Sequence, residues 1–267
     1  MNMKKVWLVL CLIVLVTGCQ SRIDLPALSR GSALSPQTLA TEPYPLQALL
    51  PQAGHYPHLR VYIEGDGHAW ATRSQPSSDP TPMHSLMTDL ALRDVQPSVY
   101  LARPCQFIKG AHCDTGVWTA GRFSASVMAS MNAALDQVKA RYGVDTFELV
   151  GHSGGAAIAL VLAATRSDVM QVQTLAGNLD PEFWTRLQSL APLQNPVLPL
   201  TYRDSLSGIA QRHFVGLEDP VVPPSVAQSY VDALQGRCVE VIRVHANHLS
   251  GFEERWARYA NVPVRCP

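Results

Sequence analysis

Charge of either sign is not in excess in these 267 residues: 21 Lys and Arg stand against 21 Asp and Glu, for a formal net charge of zero. No run of five or more basic residues occurs, so the chain offers no electrostatic footprint for nucleic acid. No apolar run reaches the ~20 residues that a membrane-spanning helix needs. There is no C-x-x-C, no H-E-x-x-H and no Cys/His cluster, so neither a metal nor a metal cofactor is expected. The Lys-Ser/Thr pair of a phosphate loop and the G-x-G-x-x-G of a dinucleotide site are also missing. No internal repeat is visible. What remains is one globular domain whose class must be read from its hydrophobic pattern.

The first residues follow a different pattern. Lys4 and Lys5 precede an uncharged, Leu/Val-rich stretch over residues 6–16, which is the form of a secretory signal. The stretch closes in Leu15-Val16-Thr17-Gly18-Cys19, which resembles the lipobox of bacterial lipoproteins. The resemblance implies that residues 1–18 are a signal peptide and that Cys19 carries the lipid. Several acyl chains would hold the protein stably on a membrane surface. Gln20 stands where Asp would mark inner-membrane retention, which implies the periplasmic face of the outer membrane. Residues 19–40, rich in Pro, Ser, Leu and Ala without a clean period, read as a tether, and residues 41–267 as the domain. Cys105, Cys113, Cys238 and Cys266 remain, an even set suited to an oxidising compartment. Three pairings are open. Cys105 with Cys113 as a local clip, and Cys238 with Cys266 pinning the C-terminal tail, are the favoured pair.

From residue 59 onward, strand and helix patterns alternate. Strands are expected at residues 59–63, 98–102, 146–150, 172–176, 213–215 and 238–244. Helices are expected at 84–93, 123–142, 156–164, 181–190, 225–234 and 249–259. This alternation predicts an α/β fold with a mostly parallel central sheet and helices on both faces. The pattern loosens over residues 177–210, which read as a small cap over the site.

Ligands of open α/β sheets collect beyond the carboxyl ends of the strands. The strand at 146–150 runs into Gly151-His152-Ser153-Gly154-Gly155, and a helix follows at once. That is the strand–turn–helix setting of a G-x-S-x-G nucleophile elbow. A serine hydroxyl needs a base within reach and an acid to orient that base. Downstream come Gly216-Leu217-Glu218-Asp219-Pro220-Val221-Val222-Pro223, after one strand, and His245-Ala246-Asn247-His248, after the last.

Elbow, acidic loop and histidine in this order resemble the α/β-hydrolase family over about residues 59–261. The resemblance implies Ser153 as nucleophile, Asp219 as acid and His248 as base. Glu218 is the neighbour to be told apart from Asp219, and Asp180 is the second position for the acid. His245 is expected to be buried and satisfied, and His152 to point away from the serine as packing support. The first oxyanion donor is the N–H of Gly154. The second comes from Glu64-Gly65-Asp66-Gly67-His68, where Asp66 N–H is expected and Gly67 is the fallback; Glu64 stands where the family often has His. The implied activity is esterase-like hydrolysis of an ester, thioester or amide, without a cofactor, on a small-molecule or acyl-ester substrate. A non-catalytic envelope-binding or assembly lipoprotein that keeps the fold is the other reading, because this fold hosts many functions.

Overall fold

The computed structural model describes residues 22–264 and Cys266. The expected signal peptide at 1–18 and the lipidation residue Cys19 lie outside the described residues. In chain order the elements are α1 (Leu25–Leu28), β1 (Leu34–Leu39), β2 (Leu46–Pro51), β3 (His58–Ile63), α2 (Leu86–Leu92), β4 (Ser98–Leu101), α3 (Thr115–Trp118), α4 (Ala125–Tyr142), β5 (Thr146–His152), α5 (Gly154–Thr165), β6 (Val169–Leu175) and α6 (Pro181–Leu187). A short 3-10 turn (Pro199–Tyr202) leads to α7 (Arg203–Leu206), β7 (Ala210–Gly216), α8 (Pro224–Leu234), β8 (Val239–Val244) and α9 (Glu253–Tyr259).

The strands form one sheet in the order β1-β2-β4-β3-β5-β6-β7-β8. β1, β2 and β4 pair antiparallel; every pair from β4 to β8 is parallel. Side chains alternate between two apolar layers, as the period of a strand requires. Val61 and Ile63 of β3 join the layer under α4, α5 and α8, while Tyr62 between them joins the layer under α2 and α9. α5 is buried along almost its whole length, which explains why its sequence is apolar all round. α4 begins at Ser124, whose side chain accepts from Val127 N–H, and ends at Gly143 in the left-handed region.

The segment expected to be a tether is, from residue 22, part of the domain. Leu25, Leu34 and Leu39 are buried, and β1 pairs with β2 over six residues. Ile23 N–H donates to the Pro82 carbonyl (3.1 Å). Pro36 inside β1 is tolerated because the strand lies at the sheet edge. The cap expectation also changes. Residues 177–210 pack against α5 and α8 beside the cavity at Ser153, and none of them lines it. Both favoured disulfides are formed, Cys105–Cys113 and Cys238–Cys266, closing loops eight and 28 residues apart. In the chain-entropy view, loops of these sizes contribute roughly 2.5–3.5 kcal/mol each.

Candidate active site

β5 stops at His152 and α5 starts at Gly154, so Ser153 alone makes the turn, with φ 50° and ψ −124°. A non-glycine residue in that region is strained, and the strain holds the hydroxyl above the carboxyl end of the sheet. The turn closes only because its flanks are bare. A Cβ on Gly151 would stand 2.6 Å from the Gly155 carbonyl oxygen, and one on Gly155 would stand 2.6 Å from the Ile63 carbonyl oxygen.

His248, in the loop after β8, reaches Ser153: its Nε2 lies 3.0 Å from Ser153 Oγ. Its Nδ1 lies 2.8 Å from Asp219 Oδ2. Asp219 follows β7, and its side chain is fully buried. Its other oxygen, Oδ1, accepts from Val221 N–H (2.8 Å) and Val222 N–H (2.9 Å). The carboxylate is thereby fixed in the plane where it meets the imidazole. Ser153, His248 and Asp219 are therefore brought together in one hydrogen-bonded line. Asp180 is elsewhere; it caps α6, accepting from Phe183 N–H (3.0 Å) and Ser229 Oγ–H (2.8 Å). Glu218 points to the surface, where it faces His245 at 3.6 Å. His245 itself is exposed, contrary to the buried place expected for it: it follows β8 and continues the face on which Val241 and Arg243 are exposed.

His152 does more than pack. Its Nε2 lies 2.9 Å from the His248 carbonyl oxygen, and the two rings are 4.9 Å apart. Burial, with His248 close by, pushes its pKa down to about 3. The ring is therefore neutral, with Nε2–H donating to that carbonyl, and it anchors the backbone that carries His248.

The two expected oxyanion donors are neighbours in the fold: a Cβ on Gly154 would stand 2.9 Å from Asp66 Cγ. Gly154 is the first residue of α5, so its N–H has no acceptor within the helix. Asp66 N–H donates to no acceptor among the described residues. Asp66, Gly67, His68 and Glu64 line a cavity of about 340 Å³ together with Ser153, His152 and His248. Pro82, Met83, Leu86, Val221 and Leu249 supply its apolar walls.

Behind this loop is a set of residues that sequence reasoning missed. Arg103 Nη1 pairs with Asp66 Oδ1, and Arg122 Nε lies 3.3 Å from Asp66 Oδ2. Burial alone would raise the Asp66 pKa, but these two guanidiniums hold it below the ordinary carboxylate value. Glu64 is buried as well, accepting from Gly65 N–H (3.0 Å) and Tyr100 O–H (2.8 Å). Desolvation outweighs those bonds and pushes its pKa up to about 7. Arg103 lies two residues beyond β4, so the carboxyl-end rule applied to that strand would have found it. Nothing in the local pattern marks Arg122.

No protein-family model matches the chain, and no curated protein matches it. Solved structures do resemble it. An esterase from Pyrococcus furiosus superposes with a TM-score of 0.65 at 14% identity, covering 90% of this chain and 92% of that one. A serine hydrolase without a lid from Xanthomonas campestris gives a TM-score of 0.55 at 18% identity, over 84% of this chain and 91% of that one. An α/β serine hydrolase homologue from Coxiella burnetii gives a TM-score of 0.55 at 18% identity, over 84% and 92%. With the sheet order and the strand–turn–helix at Ser153, these neighbours show that the chain has the α/β-hydrolase fold.

Proposed function

We propose that the protein is a serine hydrolase of the bacterial cell envelope that cleaves small carboxylic esters, held on the membrane by lipid on Cys19. The observation that carries the reading is the line from Asp219 through His248 to Ser153, with steps of 2.8 and 3.0 Å, set at a strained elbow. His248 Nε2 takes the proton from Ser153 Oγ as the oxygen attacks the ester carbonyl. The carbonyl oxygen becomes an oxyanion between the N–H groups of Gly154 and Asp66. As the intermediate collapses, the alcohol leaves with the proton from His248. Water then repeats the sequence on the acyl-enzyme, giving the acid and free Ser153. Asp219 holds the imidazole in one tautomer and stabilises the imidazolium. A cavity of about 340 Å³ is at the small end of ligand pockets, which favours a modest ester over bulk lipid. The Pyrococcus neighbour's description as an esterase points the same way.

A fluorophosphonate probe and a panel of chromogenic esters of rising acyl length test the chemistry. The wild-type chain should label and turn over short esters, and Ser153→Ala should do neither while keeping its fold. Labelling of that variant, or an inert wild type, sinks the reading in favour of a non-catalytic envelope protein. Cys19→Ser should move the protein from the membrane to the soluble fraction of cells; a variant that stays on the membrane removes the lipid anchor from the proposal.

A further inference from the structure

The clamp behind the oxyanion loop is charged out of proportion to a structural need. Asp66 stands between Gly65 and Gly67, and Gly67 has φ +61°, so the backbone here has little stiffness of its own. Two contacts fix residue 66: Gln106 Nε2 donates to the Gly65 carbonyl (3.0 Å), on the same peptide as the Asp66 N–H, and the Asp66 side chain is gripped from behind by Arg103 and Arg122. Both arginines are nearly inaccessible, with side chains 5% and 6% exposed. Arg103 Nη2 donates to the Arg122 carbonyl (2.5 Å), and Arg122 Nη1 donates to the Thr119 carbonyl (2.8 Å). Two buried guanidiniums thus face one carboxylate, and Arg122 Nε, though 3.3 Å from Asp66 Oδ2, makes no aligned hydrogen bond among the described residues. Two buried cations sharing one anion leave a positive excess, and an uncompensated buried charge is costly. A charge that arrives only during the reaction would offset the cost, and the oxyanion is such a charge. The clamp lies against the other donor too: a Cβ on Gly154 would stand 2.8 Å from Arg103 Nη1.

A second connection starts at the same arginine. The Arg122 guanidinium sits over the rings of Phe123 and Trp184, each at 5.2 Å. Trp184 belongs to α6, and its Nε1–H donates to the Val221 carbonyl (2.6 Å). Val221 N–H in turn donates to Asp219 Oδ1 (2.8 Å). The oxyanion loop and the acid loop are therefore tied through one side chain of the 177–210 segment.

The geometry points to Arg122 as a positioning residue for the oxyanion loop, acting through Asp66 and with Arg103, and to Trp184 as the link that sets this loop and the Asp219 loop together. The inference rests on the hydrolase reading above. An aimed donor with surplus positive charge behind it favours the transition state over the bound ester. Loss of the clamp should therefore fall on kcat rather than KM.

The experiment measures kcat and KM on p-nitrophenyl acetate, and inhibition by phenylboronic acid, which forms a tetrahedral adduct at an active serine. Thermal unfolding of each variant is read alongside. Since removing a whole oxyanion donor costs 10²–10³ in rate, Arg122→Ala should lower kcat by about 10- to 100-fold, with KM changed by less than about threefold. Boronate affinity should fall in step with kcat, and Arg122→Lys, which restores the charge without the planar fork, should recover part of both. A folded Arg122→Ala with wild-type kcat and boronate affinity overturns the inference, as does a rise in KM alone. Should Arg122→Ala not fold, Trp184→Leu decides, because Trp184 is only half-buried. It should lose several-fold in kcat and in boronate affinity, and no change in either overturns the inference. A wild type inert to the ester and to a fluorophosphonate probe overturns the hydrolase reading and this inference with it. An active wild type beside an unaffected Arg122→Ala overturns this inference alone.

Discussion

The two sides of the Ser153 cavity are held by different forces. On the side of the proposed acid, Asp219, orientation comes from aligned hydrogen bonds. Asp219 accepts from two backbone N–H groups and meets His248, whose own carbonyl accepts from a neutral His152. On the side proposed to hold the oxyanion, orientation comes from buried charge, two guanidiniums on the carboxylate of Asp66, with the protonatable Glu64 beside them. The difference follows from what must be fixed. An imidazole is a rigid plane with a nitrogen at each end, so one partner at each nitrogen sets its tautomer and direction. A glycine-flanked loop has no such plane, and its N–H is steered by the Gln106 bond to the Gly65 carbonyl and by what grips the side chain between the glycines.

The comparison breaks most sharply on the acid side, where loss of one member should disable the rest. His248→Ala is expected to lower ester turnover almost as far as Ser153→Ala, and the double variant should add little, because residues that act as one unit give non-additive losses of up to ~10⁶. Asp219→Asn should cost about 10⁴, since the amide presents the wrong hydrogen-bonding partner to Nδ1. Asp180→Asn should leave turnover near wild type, because both oxygens of Asp180 are already engaged at the head of α6. Steady-state rates on a short chromogenic ester decide the matter. Activity lost at Asp180 and kept at Asp219 would move the acid to the loop after β6.

The same division explains which parts were legible in the sequence. The central parallel strands are buried on both faces; β3, β4 and β5 carry short apolar runs, β6 and β7 mix apolar residues with buried polar ones such as Gln173 and Arg212, and most helices between them show a clear period. Ser153, Asp219 and His248 sit where those runs stop. The edge is different. β1 buries only Leu34 and Leu39 at its two ends, and Pro36 lies between them, so it has neither a run nor a period of two. It looked like a tether for that reason. His245 was misplaced for a related reason: it follows the edge strand β8 on the face where Val241 and Arg243 are already in water. Arg122 was hidden because isolated arginines on the surface and in the core look alike in sequence, whereas Arg103 lies within reach of the carboxyl-end rule. Only the fold reveals that residues 37 and 56 positions after Asp66 converge on its carboxylate.

A smaller effect is expected where the two sides touch. Gly155 lies in the first turn of α5 with the end of β3 directly against it. A methyl there would stand 2.6 Å from the Ile63 carbonyl oxygen, which belongs to the sheet and has no rotamer to move into. Gly155→Ala should destabilise the protein by about 1–3 kcal/mol, the usual cost of overpacking a tight site. Urea unfolding measures this directly, and a loss well under the lower figure would mean that the elbow yields more readily than its carbonyl contacts imply.

The finest test of the contrast uses pH, because Glu64 and His152 respond to it with opposite sign. Glu64 releases its proton near 4.5 in an unfolded chain and only at about 7 in the fold. Its contribution to stability is therefore full below 4.5 and is lost as pH rises through about 7. His152 takes up a proton near 6.5 when unfolded and only at about 3 when folded. Its contribution is full above 6.5 and is lost as pH falls toward about 3. Between 4.5 and 6.5 each exchanges close to one proton on unfolding, in opposite directions, so their effects nearly cancel. Glu64→Gln removes one of the two and leaves the other. Compared with the wild type, the variant should gain about 1.4 kcal/mol of stability for each pH unit climbed in that window, the value of one proton per unit. Urea midpoints for both chains at steps across the window give the difference in slope. It does not depend on how much the amide itself costs, since a fixed penalty shifts the whole curve without tilting it. Parallel curves would mean that Glu64 ionises in the fold as it does in water, and that only Asp66 and its two arginines, not a second buried carboxyl, set the electrostatics of the oxyanion side.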